Sequence, residues 1–344
     1  MEEAGTAEQL KLDDVIKDVL NTIERERERE IISRRFGLYD RKETLEQIGE
    51  LLGITRERVR QLEKAVITRL KSAGKELPHI KKVEQALSAH LDGMGHVART
   101  SDLAAKFPNQ NPKVDQSRVA FLAHLSPGLA VIEDSDHFFH AVGLAAKHSE
   151  KQIREQVEKI VDNIKKIGEP TDIDTVAKKV GNPDAKNVEA LAGISKNVAN
   201  LHGRWGLVKW PMVNPKNIRD KIYVILHDHK KPMHFSEIAE SIKESDFKRK
   251  NVTTQAIHNE LIKDSRFVLI GRGIYALKEW GYKKGTVADV IAEVLRKEGG
   301  PLHRDEIVRR VLKSRRVKET TILLNLQGKP QFKRVAKATY ALAE

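Results

Sequence analysis

Arg56, Glu57 and Gln61 stand within six positions of one another and carry the three side-chain patterns that tell nucleobase edges apart. A guanidinium forks onto guanine O6 and N7, a carboxylate accepts from cytosine N4, and a carboxamide pairs with adenine N6 and N7. Arg58 and Arg60 between them, with Thr55 and Lys64 at either end, are of the types that bond phosphate oxygens. Such a set reads bases only from a rigid rod that enters the major groove with its N-terminal end leading. The stretch after Thr55 supplies one. Val59, Leu62, Val66 and Leu70 recur at steps of three and four, which predicts a helix from a Thr55 cap to about Lys71. Arg56, Glu57, Arg60, Gln61 and Lys64 then fall on its other side.

The preceding residues are what such a rod needs for support. Thr44 and Gln47 form the sequence pattern of a capping box, and Leu45, Ile48, Leu51 and Leu52 line one face of a short helix that Gly53 ends. Upstream, Leu12, Val15, Ile16, Val19, Leu20 and Ile23 predict a first helix, and Ile31, Ile32 and Phe36 a second that stops at Gly37. The alternating Arg and Glu of residues 24–30 read as a solvated face of little energetic weight.

Beyond residue 78 one grammar recurs four times: an amphipathic helix, a turn, a second helix opening on an acid, a third helix, then paired strands holding an aromatic. The acids are Asp102, Asp174, Glu237 and Glu306, and the strands lie near Phe138, Trp205, Tyr275 and Tyr340. Two or three helices closed by a hairpin describe a winged helix. The expected fold is therefore mainly α with small β-hairpin wings, a beads-on-a-string array of tandem helix-turn-helix and winged-helix modules. Their expected spans are 12–74, 79–146, 150–213, 216–282 and 285–344. In the fourth, Ser236 reads as the cap of the second helix, and Gly271-Arg272-Gly273 as the wing turn. Lys248, Arg249 and Lys250 precede its third helix, and Lys313, Arg315, Arg316 and Lys318 hold the same place in the fifth. That recurrence marks them for phosphate contact, and Arg272 at the wing tip for a minor groove.

Composition excludes other chemistry. The chain has no cysteine, so thiol nucleophiles, disulfides and thiolate zinc sites are out. Its formal net charge is +13, and residues 216–344 hold 28 Lys and Arg against 16 Asp and Glu. A surplus so concentrated marks a polyanion binder, because each phosphate contact releases counterions. No apolar run approaches the roughly 20 residues of a membrane span, and Met1-Glu2-Glu3-Ala4 does not open a signal peptide, so a cytoplasmic protein is expected. A Walker phosphate loop is missing, and the histidine pairs His137 with His140 and His227 with His229 lack carboxylates at metal-site spacing. Pro183-Asp184 and Asp228-His229-Lys230 copy the letters of a metal nuclease but straddle two predicted modules. Trp205, Trp210 and Trp280 read as packing residues. The expectation is a non-enzyme with no cofactor, no metal, no small-molecule substrate and no membrane partner, bound to double-stranded DNA.

Two stretches resemble known families. Arg35-Phe36-Gly37-Leu38, Thr44-Leu45-Glu46-Gln47-Ile48-Gly49, Ile54 through Glu63, and Ala65 resemble region 4 of the sigma-70 family, over roughly residues 12–72. That resemblance implies that Arg56, Glu57 and Gln61 read a −35-like promoter element and that Arg58 and Arg60 touch backbone. It further implies that apolar faces around Ile31, Phe36 and Leu51 cradle the flap tip of the RNA polymerase β subunit. Pro232 to Ala239 and Gly271 to Trp280 resemble the HARE-type winged helix found in the polymerase delta subunit, with an echo at residues 301–308 and 338–342. The competing reading is a polymerase-associated interaction protein, a sigma mimic without base readout.

Overall fold

The computed structural model describes residues 11–107, 111–247, 249, 251–282 and 285–343. Its first elements are α1 (Leu12–Asn21), α2 (Glu26–Phe36), α3 (Leu45–Leu52) and α4 (Arg56–Ala73). Thr44 Oγ1 accepts from the Gln47 N–H at 3.2 Å, and Gln47 Oε1 accepts from the Thr44 N–H at 2.9 Å, so the capping box forms. Ile31, Ile48 and Val59 make a small core between α2, α3 and α4. The α3–α4 turn closes because residue 49 is glycine: a Cβ there would stand 2.7 Å from the Ile54 carbonyl oxygen. The charged run at the start of α2 does more than face water. Glu28 is buried and takes Arg69 of α4 at 2.7 Å, while Arg27 donates to the Leu52 carbonyl at the end of α3.

Four winged units follow, each with three helices closed by a hairpin, and three of them with a short strand between the first two helices. The first comprises α5 (Ile80–Gly93), β1 (Val97–Arg99), α6 (Thr100–Ala104), α7 (Pro112–Leu125), β2 (Leu129–Ile132) and β3 (Ala141–Leu144), with strand order β1-β3-β2. Next come α8 (Glu150–Ile167), α9 (Ile173–Val180), α10 (Ala185–Gly193), β4 (Val198–Leu201) and β5 (Arg204–Leu207). Here a Thr171–Trp205 bridge replaces the leading strand. The third has α11 (Ile218–His229), β6 (Met233–His234), α12 (Phe235–Glu244), α13 (Thr254–Lys263), β7 (Phe267–Gly271) and β8 (Ile274–Leu277), ordered β6-β8-β7. The last repeats this with α14 (Val287–Glu298), β9 (Leu302–His303), α15 (Arg304–Ser314), α16 (Glu319–Gly328), β10 (Phe332–Ala336) and β11 (Thr339–Leu342). The fold is mainly α with small antiparallel wings. One local detail differs from the sequence reading: α12 is capped by His234, whose Nδ1 accepts from the Ser236 N–H, and Ser236 lies inside the helix. Among the described residues no helix is long and apolar enough to cross a membrane.

The chain forms two compact units, one up to Lys209 and one from Trp210. Inside the first, the modules are packed together rather than strung as beads. One continuous core runs through Ile16, Val19, Leu70, Leu87, Phe121 and Val142, uniting α1 and α4 with α5, α7 and β3. The reason is the composition of α7, where Val119 through Ala123 are buried on every side; a helix apolar all round must be enclosed. Arg118 pins it, donating to Asp13 at 2.6 Å and to the Leu38 carbonyl at 2.8 Å. A second seam joins residues 133–140 to the end of α10. The Phe139 N–H donates to Ile194 O at 2.9 Å, the Lys196 N–H to His137 O at 2.8 Å, and the Arg99 guanidinium lies 4.0 Å from the Phe139 ring centre.

Burial in this region sets a pH dependence. His90, His124, His140 and His148 all have their imidazole pKa pushed down, in each case chiefly by burial. At His124 and His140 the nearby Glu133 carboxylate partly opposes that, and Lys71 and Lys42 reinforce it. A depressed imidazole pKa means that the unfolded chain takes up the proton first as pH falls. The contribution is therefore intact above the ordinary value of 6.5 and is lost progressively below it. Each ring adds at most about 1.4 kcal/mol per pH unit. Melting of the full chain should show the first unit losing Tm as pH falls from about 6.5 to 5.5, with little change above 7; a flat profile would contradict the burial.

Candidate nucleic-acid interface

Helix α4 owes its reach to its ends. The Thr55 hydroxyl accepts from the Arg58 N–H at 3.2 Å, which fixes where the helix starts and therefore which residues lead. Val59, Val66 and Leu70 turn inward and are buried. Thr55, Arg56, Glu57, Arg58, Arg60, Gln61 and Lys64 are all exposed, so the row singled out in sequence stands together on one open face.

Most of the row is paired on its own surface. Arg56 Nη1 meets Glu46 of α3 at 2.8 Å, with 68% of the arginine side chain exposed. Arg60 forks onto Glu57 at 2.8 and 2.7 Å, and Arg58 donates to Gln61 Oε1 at 3.3 Å. The Arg60 hydrogen bonds hold the Glu57 carboxyl below its usual range, and Glu57 in turn raises Arg60. These pairs lie in water, where they are weak and screened by salt, so an incoming duplex can exchange them for base edges and phosphates. Lys64 has no partner among the described residues.

The apolar faces named for a polymerase flap are placed differently. Ile31 is fully buried in the small core of α2, α3 and α4. Phe36 packs edge-on against Phe121, ring centres 5.0 Å apart, so the chain's own α7 covers it. Leu51 stays 54% exposed. A cradle built from all three is not open in this structure.

In the C-terminal unit Arg249, Arg272 and Arg316 are exposed. Lys248 and Lys250 lie outside the described residues. Arg315 is a correction: it is 6% exposed, and its Nη1 donates to the Leu269 carbonyl at 2.6 Å, so it belongs to packing and not to a phosphate site. Burial lowers its pKa, against the pull of Asp289. Sequence reasoning missed the wing of the last module, where Lys333, Arg334 and Lys337 are all exposed around β10. Their spacing of basic residues before Tyr340 was the available signal. The third helices α13 and α16 present mostly uncharged residues, with Ile262 at 62% and Leu324 at 67% exposure. The exposed Arg249, Arg272, Arg316, Lys333 and Lys337 sit off the third helices, on loops and wings, the arrangement that grips backbone rather than reads bases.

Comparison with known proteins separates these parts. Residues 25–72 match the family Sigma-70, region 4. Residues 218–280 match the HARE-HTH family, a helix-turn-helix domain named for ASXL and restriction endonucleases among others. The RNA polymerase sigma factor SigA of a Bacillus species is 44% identical over 61 residues, 17% of this chain and 16% of that protein. The RNA polymerase sigma factor sigB of Arabidopsis thaliana is 45% identical over 60 residues, 17% of this chain and 10% of that protein. The chain thus spans less than a fifth of the length of these relatives. Two separate stretches are of helix-turn-helix type, one of them related to sigma factors.

Proposed function

We propose that the chain is a non-catalytic, DNA-binding regulator of the bacterial-type RNA polymerase machinery, acting in the cytoplasm. Helix α4 reads a −35-like element in the major groove through Arg56, Glu57 and Gln61, while Thr55, Arg58, Arg60 and Lys64 bond the flanking phosphates. Arg249, Arg272 and Arg316 add backbone contacts from the modules at 216–282 and 285–344. The observation that carries this reading is the open, capped helix with every one of those α4 side chains exposed on it. A sigma mimic that grips the polymerase flap would need the Phe36 face free, and α7 occupies part of it.

Selection of bound duplexes from a random pool tests the reading. One enriched motif is expected, and affinity for it should fall by about 10³ or more between 50 and 200 mM salt if six or more phosphates are neutralised. A pool that stays random, with binding indifferent to salt, would overturn it.

A further inference from the structure

Strand β7 lies at the edge of its sheet, so among the described residues no strand pairs with its outer side. The segment joining α15 to α16 bonds it instead. Leu269 O accepts from Arg315 Nη1 at 2.6 Å, and Ile270 O accepts from the Arg316 N–H at 3.2 Å. In a regular antiparallel ladder successive carbonyls point opposite ways. The register slip between Leu269 and Gly271 is what lets two in a row face the same partner. The fit is close from the other side too: a Cβ on Gly271 would stand 2.9 Å from the Arg316 carbonyl oxygen.

Arg315 is costly where it sits. A guanidinium at 6% exposure gives up water for one carbonyl bond and the field of Asp289. What the contact fixes is the placement of two modules. Arg272 follows Gly271 by one residue, about 3.8 Å between α-carbons. The seam therefore brings the wing tip of one module beside Arg316 of the next. Arg272, Lys313, Arg316 and Lys318 are exposed, and none is ion-paired among the described residues.

We propose that the two C-terminal modules grip duplex DNA as one rigid clamp, in which Arg272 of one wing and Lys313, Arg316 and Lys318 of the next module form a single phosphate-binding surface aligned by the buried Arg315. Arg315 is a positioning residue and touches no phosphate itself. Neighbouring phosphates of one strand meet side chains from both modules, and the fixed seam removes the cost of ordering them at each encounter. A duplex is the partner because this surface has charge without an aromatic platform, and single strands need stacking. The proposal rests on the chain being a duplex binder but not on base reading by α4.

The test uses the full chain, a 30-base-pair duplex of arbitrary sequence and a salt titration. Arg272→Ala and Lys318→Ala should each lower the slope of log affinity against log salt by about 0.9. Arg272→Ala and Arg316→Ala should be non-additive in the parent, because one surface holds both; Arg315→Met removes no surface charge, yet affinity should fall at least threefold and that non-additivity should vanish. Gly271→Ala, which pushes the seam apart from the opposite side, should reproduce both effects and carries the test should Arg315→Met fold poorly. The proposal is overturned if the two lysine and arginine truncations leave the slope unchanged. It is equally overturned if the seam variants keep parental affinity, or if single strands bind more tightly than the duplex. Failure of α4 as a reader would show instead as lost sequence preference with all of these slopes intact.

Discussion

Truncating Phe121 to alanine should cost the first unit about 3–5 kcal/mol, the range for an aromatic removed from a closed core. The side chain is fully buried and touches Phe36 of α2 edge-on, so its loss opens a cavity between two modules rather than within one. For a unit of this size that is a drop in Tm of roughly 6–20 °C. Total stabilities run to about 5–15 kcal/mol, so the variant should sit near the edge of folding at 37 °C. Denaturant unfolding should remain one transition for the elements that share the core from Ile16 to Val142, among them α1, α4, α5, α7 and β3. A loss under about 1 kcal/mol, or two transitions with only the second displaced, would mean that the modules fold separately.

That shared core decides what the second module can do. Its third helix, α7, holds the position that α4 holds in the first module, yet from Val119 to Ala123 it is enclosed, and its wing residues 137–139 are bonded to residues 194–196. The C-terminal half of α7 and the inner part of the wing are engaged inside the protein, while Pro112, Lys113 and residues 133–137 stay exposed. The second module therefore packs against α4 and is tied to the third module.

Local chemistry was legible in sequence and long-range packing was not. Thr44 with Gln47, Thr55, and the wing turn at residues 271–273 lie where the pattern puts them, since each depends on neighbours within a few residues. Arg315 could not be told from Arg316, because nothing within a basic run says which side chain meets a strand 46 residues away. Two other features did leave a trace. Glu28 precedes Ile31 and Ile32 by three and four residues, the helical face that turns inward. The unbroken apolar run Val119 to Ala123 announces a stretch of helix with no side left for solvent. Periodicity marks an exposed face where it is present, and its absence at α7 marks enclosure.

The second large effect is expected from Arg56→Ala combined with Gln61→Ala. Each bidentate contact to a base edge is worth about 1–3 kcal/mol of discrimination. Removing both should reduce preference for the selected site over arbitrary duplex by about 30-fold or more. Neither side chain is buried, so folding should be untouched and melting should match the parent. The slope against salt should change little, because the phosphate contacts proposed for Arg58, Arg60 and Lys64 are left in place. The reverse pattern is expected from Arg58→Ala with Lys64→Ala: preference retained, and a slope lower by about 0.9 for each phosphate released. Glu46→Gln adds a check on the resting state, since it frees Arg56 from its 2.8 Å partner and should tighten binding at low salt more than at high. Should the first pair weaken every duplex equally, α4 grips backbone only, and specificity must come from the shape of the DNA.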